Sequence, residues 1–394
     1  MSLSPALAPK FPERVTLGPN EVIVITGGSG FLGQHIIRVL NERAKGVREI
    51  RVVDLKPYKQ RLDFKDIYNV KYYKADIAIE DQLDEPFNGA TCVIHCAAVV
   101  DTRRFCDRVT MKSTNFIGTT NVAFKCRQWN IQKLILTSTV DAVIQHNSEF
   151  HYQTESKLEL PEKEKKFLMG YYAFTKAQSE AIVICERNRR MANGKKMKTA
   201  ILRPTVMYGE LDPFYVPQAL KVAKATGGYL MQPFTFHTDP VLQATYAGNV
   251  AWAHVCAVWK LNEELTKDEP IEEWRIVDGQ TVFITDDTKP QPMFDFMKPF
   301  LALKGYSTMV TPIPFYLLFV TLFTFGFALR FLPKTWRSWF DNKPLFPTAE
   351  SLKMVHKCVT FDRIKAENCL EYCPIYSEEK ALELSSRYYN DVTV

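Results

Sequence analysis

The chain has 394 residues, 46% of them apolar and 24% charged, with a net charge of +6 and nine cysteines. This composition excludes a disordered chain and is enough for one large α/β domain plus a smaller lobe. The charge is modest and its densest basic run, Lys195-Lys196-Met197-Lys198, reads as a solvated loop, so no nucleic-acid partner is expected; an odd cysteine count without C-x-x-C points to reduced thiols.

Residues 1–20 hold four prolines and no apolar core of the kind a secretory signal carries, and read as an N-terminal extension. The apolar run Val22–Ile25 then reads as a buried parallel strand. A Gly-rich turn follows, and an apolar-periodic helix runs on through Leu40. Gly27 suits the tight turn, Gly28 and Gly30 let the backbone approach a pyrophosphate, and Gly33 lets the helix pack closely on the strand. The diphosphate of a dinucleotide would lie over Gly27, Gly28, Ser29, Gly30, Phe31, Leu32 and Gly33, at the helix N-terminus with its free N–H groups. A second strand, Ile50 to Asp54, ends in an acid 21 residues beyond Gly33. A carboxylate there accepts both ribose hydroxyls of NAD and repels a 2′-phosphate.

Further strands are expected at 70–76, 91–98, 134–139 and 198–204, with helices near 80–87, 113–128 and 170–190. This alternation predicts a Rossmann-type doubly wound parallel sheet. Ligands in such sheets lie beyond the carboxyl ends of the strands. The rule points at Asp54, Asp76, Ala97 to Val99, Thr137 to Thr139 and Arg203 to Val206; of these Asp54, Asp76, Ala97, Ala98, Thr137, Ser138, Pro204 and Val206, with Ile77 next to Asp76, are read as cofactor-binding. Asp76 suits either the adenine amino group or a helix N-cap. Cys92 and Cys96 fall on a buried strand and are read as packing, with no metal site. The polar stretches 101–115 and 145–170 leave the same sheet edge and read as substrate-covering or solvated loops.

Tyr172-x-x-x-Lys176 places a phenol and an ammonium one helical turn apart. The cation is expected to lower the phenol pKa and fit Tyr172 for general acid/base work, and the lysine can also hold the nicotinamide ribose. Ser138 and Thr139 add hydroxyls at a strand end, 34 and 33 residues earlier. The pattern is weak alone; the order of fingerprint, hydroxyl and Tyr-x-x-x-Lys is what carries weight.

From about residue 21 to 385 the chain resembles the extended short-chain dehydrogenase/reductases, and within them the 3β-hydroxysteroid dehydrogenase family. The resemblance rests on Gly27–Gly33, on Leu202–Gly209, on Tyr246–His254, the most family-specific run, and on Thr285–Pro290, taken as a strand. It implies that Tyr172 is the acid/base and Lys176 its partner, that Thr139 stands where the family has serine, and that Asn115 is the supporting helix asparagine. It implies NAD, a steroid or sterol substrate oxidised at the 3β-hydroxyl, a shift of the Δ5 double bond to Δ4 as a following step, and a homodimer.

Residues 305–329 carry no charge, and their centre, Phe315 to Leu329, is nearly all apolar; Arg330, Lys334, Trp336, Arg337 and Trp339 follow. Fifteen helical residues reach ~22 Å, short of the ~30 Å bilayer core. The segment is therefore read as a helix dipping into one leaflet, in preference to a span or a buried core helix. The domain division expected is 1–20 extension, 21–205 mainly cofactor domain, 206–304 mainly substrate lobe, 305–340 membrane-associating segment and 341–394 terminal segment on the body. The location that follows is the endoplasmic reticulum membrane, with the catalytic body in the cytosol. The alternatives are a decarboxylating 3-dehydrogenase of 4-carboxysterols, a nucleotide-sugar epimerase or reductase, and a catalytically weak NAD-binding scaffold suggested by Thr139. Turnover separates the scaffold from the enzymes.

Overall fold

Parallel strands buried on both faces demand apolar runs, which the inner strands of a seven-stranded sheet supply, while the edge strand Asn69–Lys74 is largely exposed. In the computed structural model, which describes residues 12–158, 160–235, 240–267, 269–343 and 345–393, the seven are β1 (Val15–Thr26), β2 (Ala44–Asp54), β3 (Asn69–Lys74), β4 (Cys92–His95), β5 (Lys133–Thr137), β6 (Lys198–Pro204) and β7 (Gln280–Ile284). All neighbours pair in parallel, in the spatial order β7-β6-β5-β4-β1-β2-β3. The order reverses between β1 and β4, which opens a crevice at their carboxyl ends.

Helices cover both faces. Phe31–Arg43 and Ala247–Thr266 join the core on one side. Thr119–Gln128 and Gly170–Arg187 cover the other, where Val122, Ala123, Cys126 and Val183 meet the sheet. A smaller apolar core beyond the crevice joins the helices Tyr215–Ala225, Met293–Ala302 and Glu378–Asp391.

Two expectations need correction. β1 starts at Val15, so the boundary placed at residue 20 falls inside a strand; residues 1–11 lie outside the described residues. Thr285–Pro290 is the loop after β7 rather than a strand, because Asp286 turns its carboxylate to the Tyr246 N–H, the Thr288 N–H and the Asn249 amide and ends the ladder. The apolar segment is helical over Phe315–Leu329, the fifteen residues expected, while Ser307–Pro314 before it is a strand paired in parallel with Tyr229–Phe234, where Pro312 and Pro314 remove the N–H groups a helix would need.

That helix packs on the body through Leu322, Phe315, Leu318 and Phe319, which meet Ala349 and Leu352. Its other face is bare: Tyr316 is 75% exposed, and Val320, Phe323 and Phe327 continue the stripe at helical spacing. It is thus not a core helix. Among the described residues no helix is long and apolar enough to cross a membrane.

Candidate active site

The Gly-rich turn closes β1 against the sheet edge. Gly27 has φ +72°, and a Cβ on it would come within 2.9 Å of Ala97. A Cβ on Gly33 would strike the Gly27 carbonyl and Gly28, so this glycine sets the close approach of helix to turn. Gly28 has a different role from the one expected: a Cβ there would press on the Val52 methyls at 2.9 Å, so packing on β2 already requires a glycine. The helix that begins at Phe31 has Gly30 as its N-cap, with no side-chain cap and no acid in its first turn. Its first amides are therefore free for a diphosphate.

Asp54, at the end of β2, accepts from the Ser29 N–H at 3.1 Å and the Lys56 N–H at 2.9 Å. Its carboxylate is thereby held beside the turn, where a ribose would lie. Asp76 accepts from the Ala78 N–H at 2.9 Å while its own N–H donates to Gln82, so its visible role is the turn-capping one. Ile77 is buried against Gly118, and its carbonyl accepts from Asn121. Ala97 and Ala98 lie just beyond β4, and the Ala97 N–H donates to Thr26 Oγ1. Pro204 ends β6 and Val206 opens a short strand beside Ala244.

Asn115 sits in a π-helical turn, Lys112–Gly118, a departure from α geometry common at functional sites. Its carbonyl is taken by the Thr119 and Ser179 hydroxyls at 2.6 and 2.7 Å. Its amide brackets Val99, accepting from that N–H at 2.8 Å and donating to that carbonyl at 2.9 Å. It also donates to Thr175 Oγ1 at 3.0 Å, and Thr175 in turn donates to the Tyr172 carbonyl. Asn115 thus ties the strand-end loop to the helix that carries the tyrosine.

Tyr172 and Lys176 share that helix, Gly170–Arg187, and both are buried. The expected coupling between them is not what the structure displays. The Lys176 ammonium donates to the Thr137 carbonyl at 2.6 Å, captured by the end of β5. Burial lowers its pKa to about 8. The Tyr172 phenol is pushed above its ordinary range by burial first and then by the Asp141 charge.

Asp141 is the residue that sequence reasoning missed. Thr139 caps the short turn Val140–Ala142, accepting from the Asp141 N–H and donating to Asp141 Oδ2, both at 3.2 Å. Burial raises the Asp141 carboxyl to about 6. The available signal was an acid two residues beyond a strand-end hydroxyl. The Thr137 and Ser138 hydroxyls are committed elsewhere: Thr137 pairs with His254 at 2.8 Å, and Ser138 donates to Glu180, itself held by Arg203. Only Thr139 of the three pairs its hydroxyl with the acid beside Tyr172.

A doubly wound sheet with a Gly-rich β1 turn, a strand-end hydroxyl and a buried Tyr-x-x-x-Lys helix defines an extended short-chain dehydrogenase/reductase. Solved structures agree on the fold. The UDP-glucose 4-epimerase of Thermus thermophilus in complex with NAD aligns with TM-score 0.62 at 19% identity, covering 94% of this chain and 100% of that one. Epimerase Mth375 of Methanothermobacter thermautotrophicus aligns with TM-score 0.65 at 14% identity, covering 95% and 93%. The sequence profile of the 3-beta hydroxysteroid dehydrogenase/isomerase family matches residues 24–315, and the chain belongs to that family. It is similar to mouse 3 beta-hydroxysteroid dehydrogenase type 7, with 29% identity over 92% of this chain and 94% of that protein. It is also similar to the monkeypox virus 3 beta-hydroxysteroid dehydrogenase/Delta 5-->4-isomerase, with 33% identity over 60% of this chain and 66% of the viral protein's length.

Proposed function

We propose that this chain is a membrane-associated, NAD-dependent dehydrogenase that oxidises the 3β-hydroxyl of a steroid or sterol to the 3-ketone, and that Asp141 carries the proton in a following Δ5-to-Δ4 shift. The observation that carries the reading is the grouping of Thr139, Asp141, Tyr172 and Lys176 at the end of β5, one strand from the crevice beside the Gly-rich turn.

The residues present fit a dinucleotide: the uncapped helix N-terminus takes the diphosphate, and Asp54 takes the ribose hydroxyls. Bound NAD⁺ supplies the hydride acceptor and a positive charge in the crevice. Tyr172 holds and removes the proton of the substrate alcohol. Thr139 Oγ1 keeps that alcohol oriented. Lys176, close enough to neutral pH to change state, supports the phenolate when its ammonium swings from the Thr137 carbonyl. Once carbon 3 is a ketone, the C4 proton is acidic. Asp141, with a carboxyl near 6 beside the phenol, is matched to take that proton at C4 and return one at C6.

The same Asp141 weighs against the alternatives. Its charge disfavours a substrate carboxylate at carbon 4. A sugar nucleotide has no use for the bare apolar face. That face supports bilayer contact: Phe315–Leu329 and the following helix Lys334–Asp341 expose Phe323, Phe327, Phe331, Trp336 and Trp339, with Arg330, Lys334 and Lys343 exposed beside them. The terminal segment returns to the catalytic body, where the Tyr389 hydroxyl accepts from the Gly209 N–H and donates to Asp212. This return supports a monotopic anchor, which in this reading lies at the cytosolic face of the endoplasmic reticulum.

The test is NADH formation by detergent-solubilised protein with NAD⁺ and a 3β-hydroxy-Δ5 steroid, with Tyr172→Phe as control. Turnover lost in the variant supports the reading. Equal rates in both proteins, or NAD binding without turnover on any 3β-hydroxysteroid, would falsify it.

A further inference from the structure

The loop Asp101–Asp107 lies between two parts of the molecule that chemistry alone does not connect. It is stiffened from within: the Asp101 carboxylate accepts from the Arg103 N–H, from its Nε and Nη2, and from the Asp107 N–H, at 2.7 to 3.1 Å. A loop built on one buried carboxylate moves as a unit.

Its outer side is fastened to the apolar helices. The Arg104 guanidinium, nearly buried, lies 3.5 Å from Asp341 and donates to the Pro347 carbonyl at 3.0 Å. It also faces the Phe325 ring at 5.7 Å. The Phe105 N–H donates to Asp341 at 2.8 Å, Arg103 reaches Asn342 at 3.1 Å, and Arg337 covers the Phe105 ring. A Cβ on Gly326 would come within 2.9 Å of Arg104 Nε. Every one of these partners lies between residues 325 and 347.

Its inner ends are fastened to the catalytic helix. Val99 is bracketed by Asn115, which reaches Tyr172 through Thr175. At the other end Arg108 makes a bidentate pair with Glu164, at 2.7 and 2.5 Å, and lies 4.0 Å over the ring of Tyr171, the neighbour of Tyr172.

We propose that Arg104 is a positioning residue that couples bilayer contact of the helices Phe315–Leu329 and Lys334–Asp341 to the substrate loop and, through it, to the site around Tyr172. The inference rests on the bilayer reading of those helices given above. Lipid contact holds the helix pair in one attitude, and the Arg104 contacts hold the loop in register with it. A free helix pair leaves the loop to fluctuate over the site.

The experiment uses the full chain with phosphatidylcholine–phosphatidylserine vesicles. Flotation reports binding, and hydrogen exchange of peptides spanning 101–108 and 170–176 reports the loop and the catalytic helix. A water-soluble 3β-hydroxysteroid gives KM separately from lipid delivery of substrate. For the wild type, vesicles should slow exchange in 101–108 several-fold and lower KM. Arg104→Ala should float equally and lose both responses. Gly326→Ala disturbs the contact from the helix side, its Cβ pressing on Arg104, and should do the same with the loop's own sequence unchanged. Floating protein whose loop exchange ignores vesicles overturns the coupling alone, as does an Arg104→Ala response equal to the wild type's. Wild-type protein that does not float removes the bilayer reading and the coupling with it.

Discussion

Thr139 Oγ1 and Asp141 Oδ2 lie 3.2 Å apart at the end of β5, and the Asp141 charge bears on the Tyr172 phenol. One short turn therefore presents a hydroxyl and a carboxylate together, the pair that the proposed reaction assigns to the substrate oxygen and to a second proton. The threonine hydroxyl both donates to and accepts from Asp141, so the arrangement uses both its capacities.

Replacing Asp141 by asparagine keeps the size of the side chain and removes the charge. Enone formation should fall by about 100-fold or more, and the unconjugated 3-ketone should accumulate. The phenol loses a negative neighbour, so the pH profile of dehydrogenation should move to lower pH. In the wild type, enone formation should rise as pH passes about 6, where Asp141 ionises. Enone produced at the wild-type rate by Asp141→Asn would take Asp141 out of the step.

Lys176 sets a pH dependence of stability. Its pKa is about 8 in the folded chain against an ordinary 10.5. Between those values the unfolded chain binds more protons, so stability should rise with pH across that window. Lys176→Met should abolish the rise and lower kcat/KM by about 100-fold. Urea midpoints at the two ends of the window give the answer, and a slope retained in the variant would assign it to another group.

Asn115→Ala strips the partners from the Val99 N–H and carbonyl and from Thr175. Leaving such buried groups unpaired should cost about 2 kcal/mol or more, measured by chemical denaturation. Activity should fall further than stability does, because the same amide holds the catalytic helix against the loop. Equal loss of both would reduce Asn115 to a structural role.

Asp54→Ala should weaken NAD use and improve NADP use, because the ribose hydroxyls lose their acceptor and a 2′-phosphate loses its repulsion. The ratio of kcat/KM for the two cofactors measures this. A ratio that does not move would mean that Asp54 serves only its bonds to Ser29 and Lys56.

Detergent dependence should disappear when the bare stripe is made polar, as in a combined Val320→Asp, Phe323→Asp and Phe327→Asp variant. Substitution is a cleaner test than removing 312–333, because Pro314 pairs with Phe234 and Leu322 packs on the body. A wild-type chain found in the high-speed supernatant without detergent would contradict the anchor.

The sheet and its crevice were legible because their signals are local. Four apolar residues before a glycine turn, an acid at the end of the next strand, and helix-length spacing between strands each depend on a few neighbouring residues. Six of the seven strands were readable this way to within a few positions, apart from the N-terminal start of β1 and β2. β7 was not, because its apolar run is only Val282 to Ile284 and it abuts the polar loop Thr285–Pro290.

By itself, then, the sequence determined a doubly wound sheet, a dinucleotide turn, a Tyr-x-x-x-Lys helix and an uncharged apolar segment near the C-terminus. Tertiary structure alone decided where the polar groups point. Lys176 turned to the Thr137 carbonyl, Ser138 to Glu180, and Asp141 to the Thr139 hydroxyl, where its charge bears on Tyr172. It also decided which side of Phe315–Leu329 stays bare and that Arg104 meets Asp341. The physical reason is range. Periodicity and glycine placement act through the backbone over one or two turns, whereas a hydrogen bond or ion pair between distant segments exists only once packing has set their positions to within an ångström.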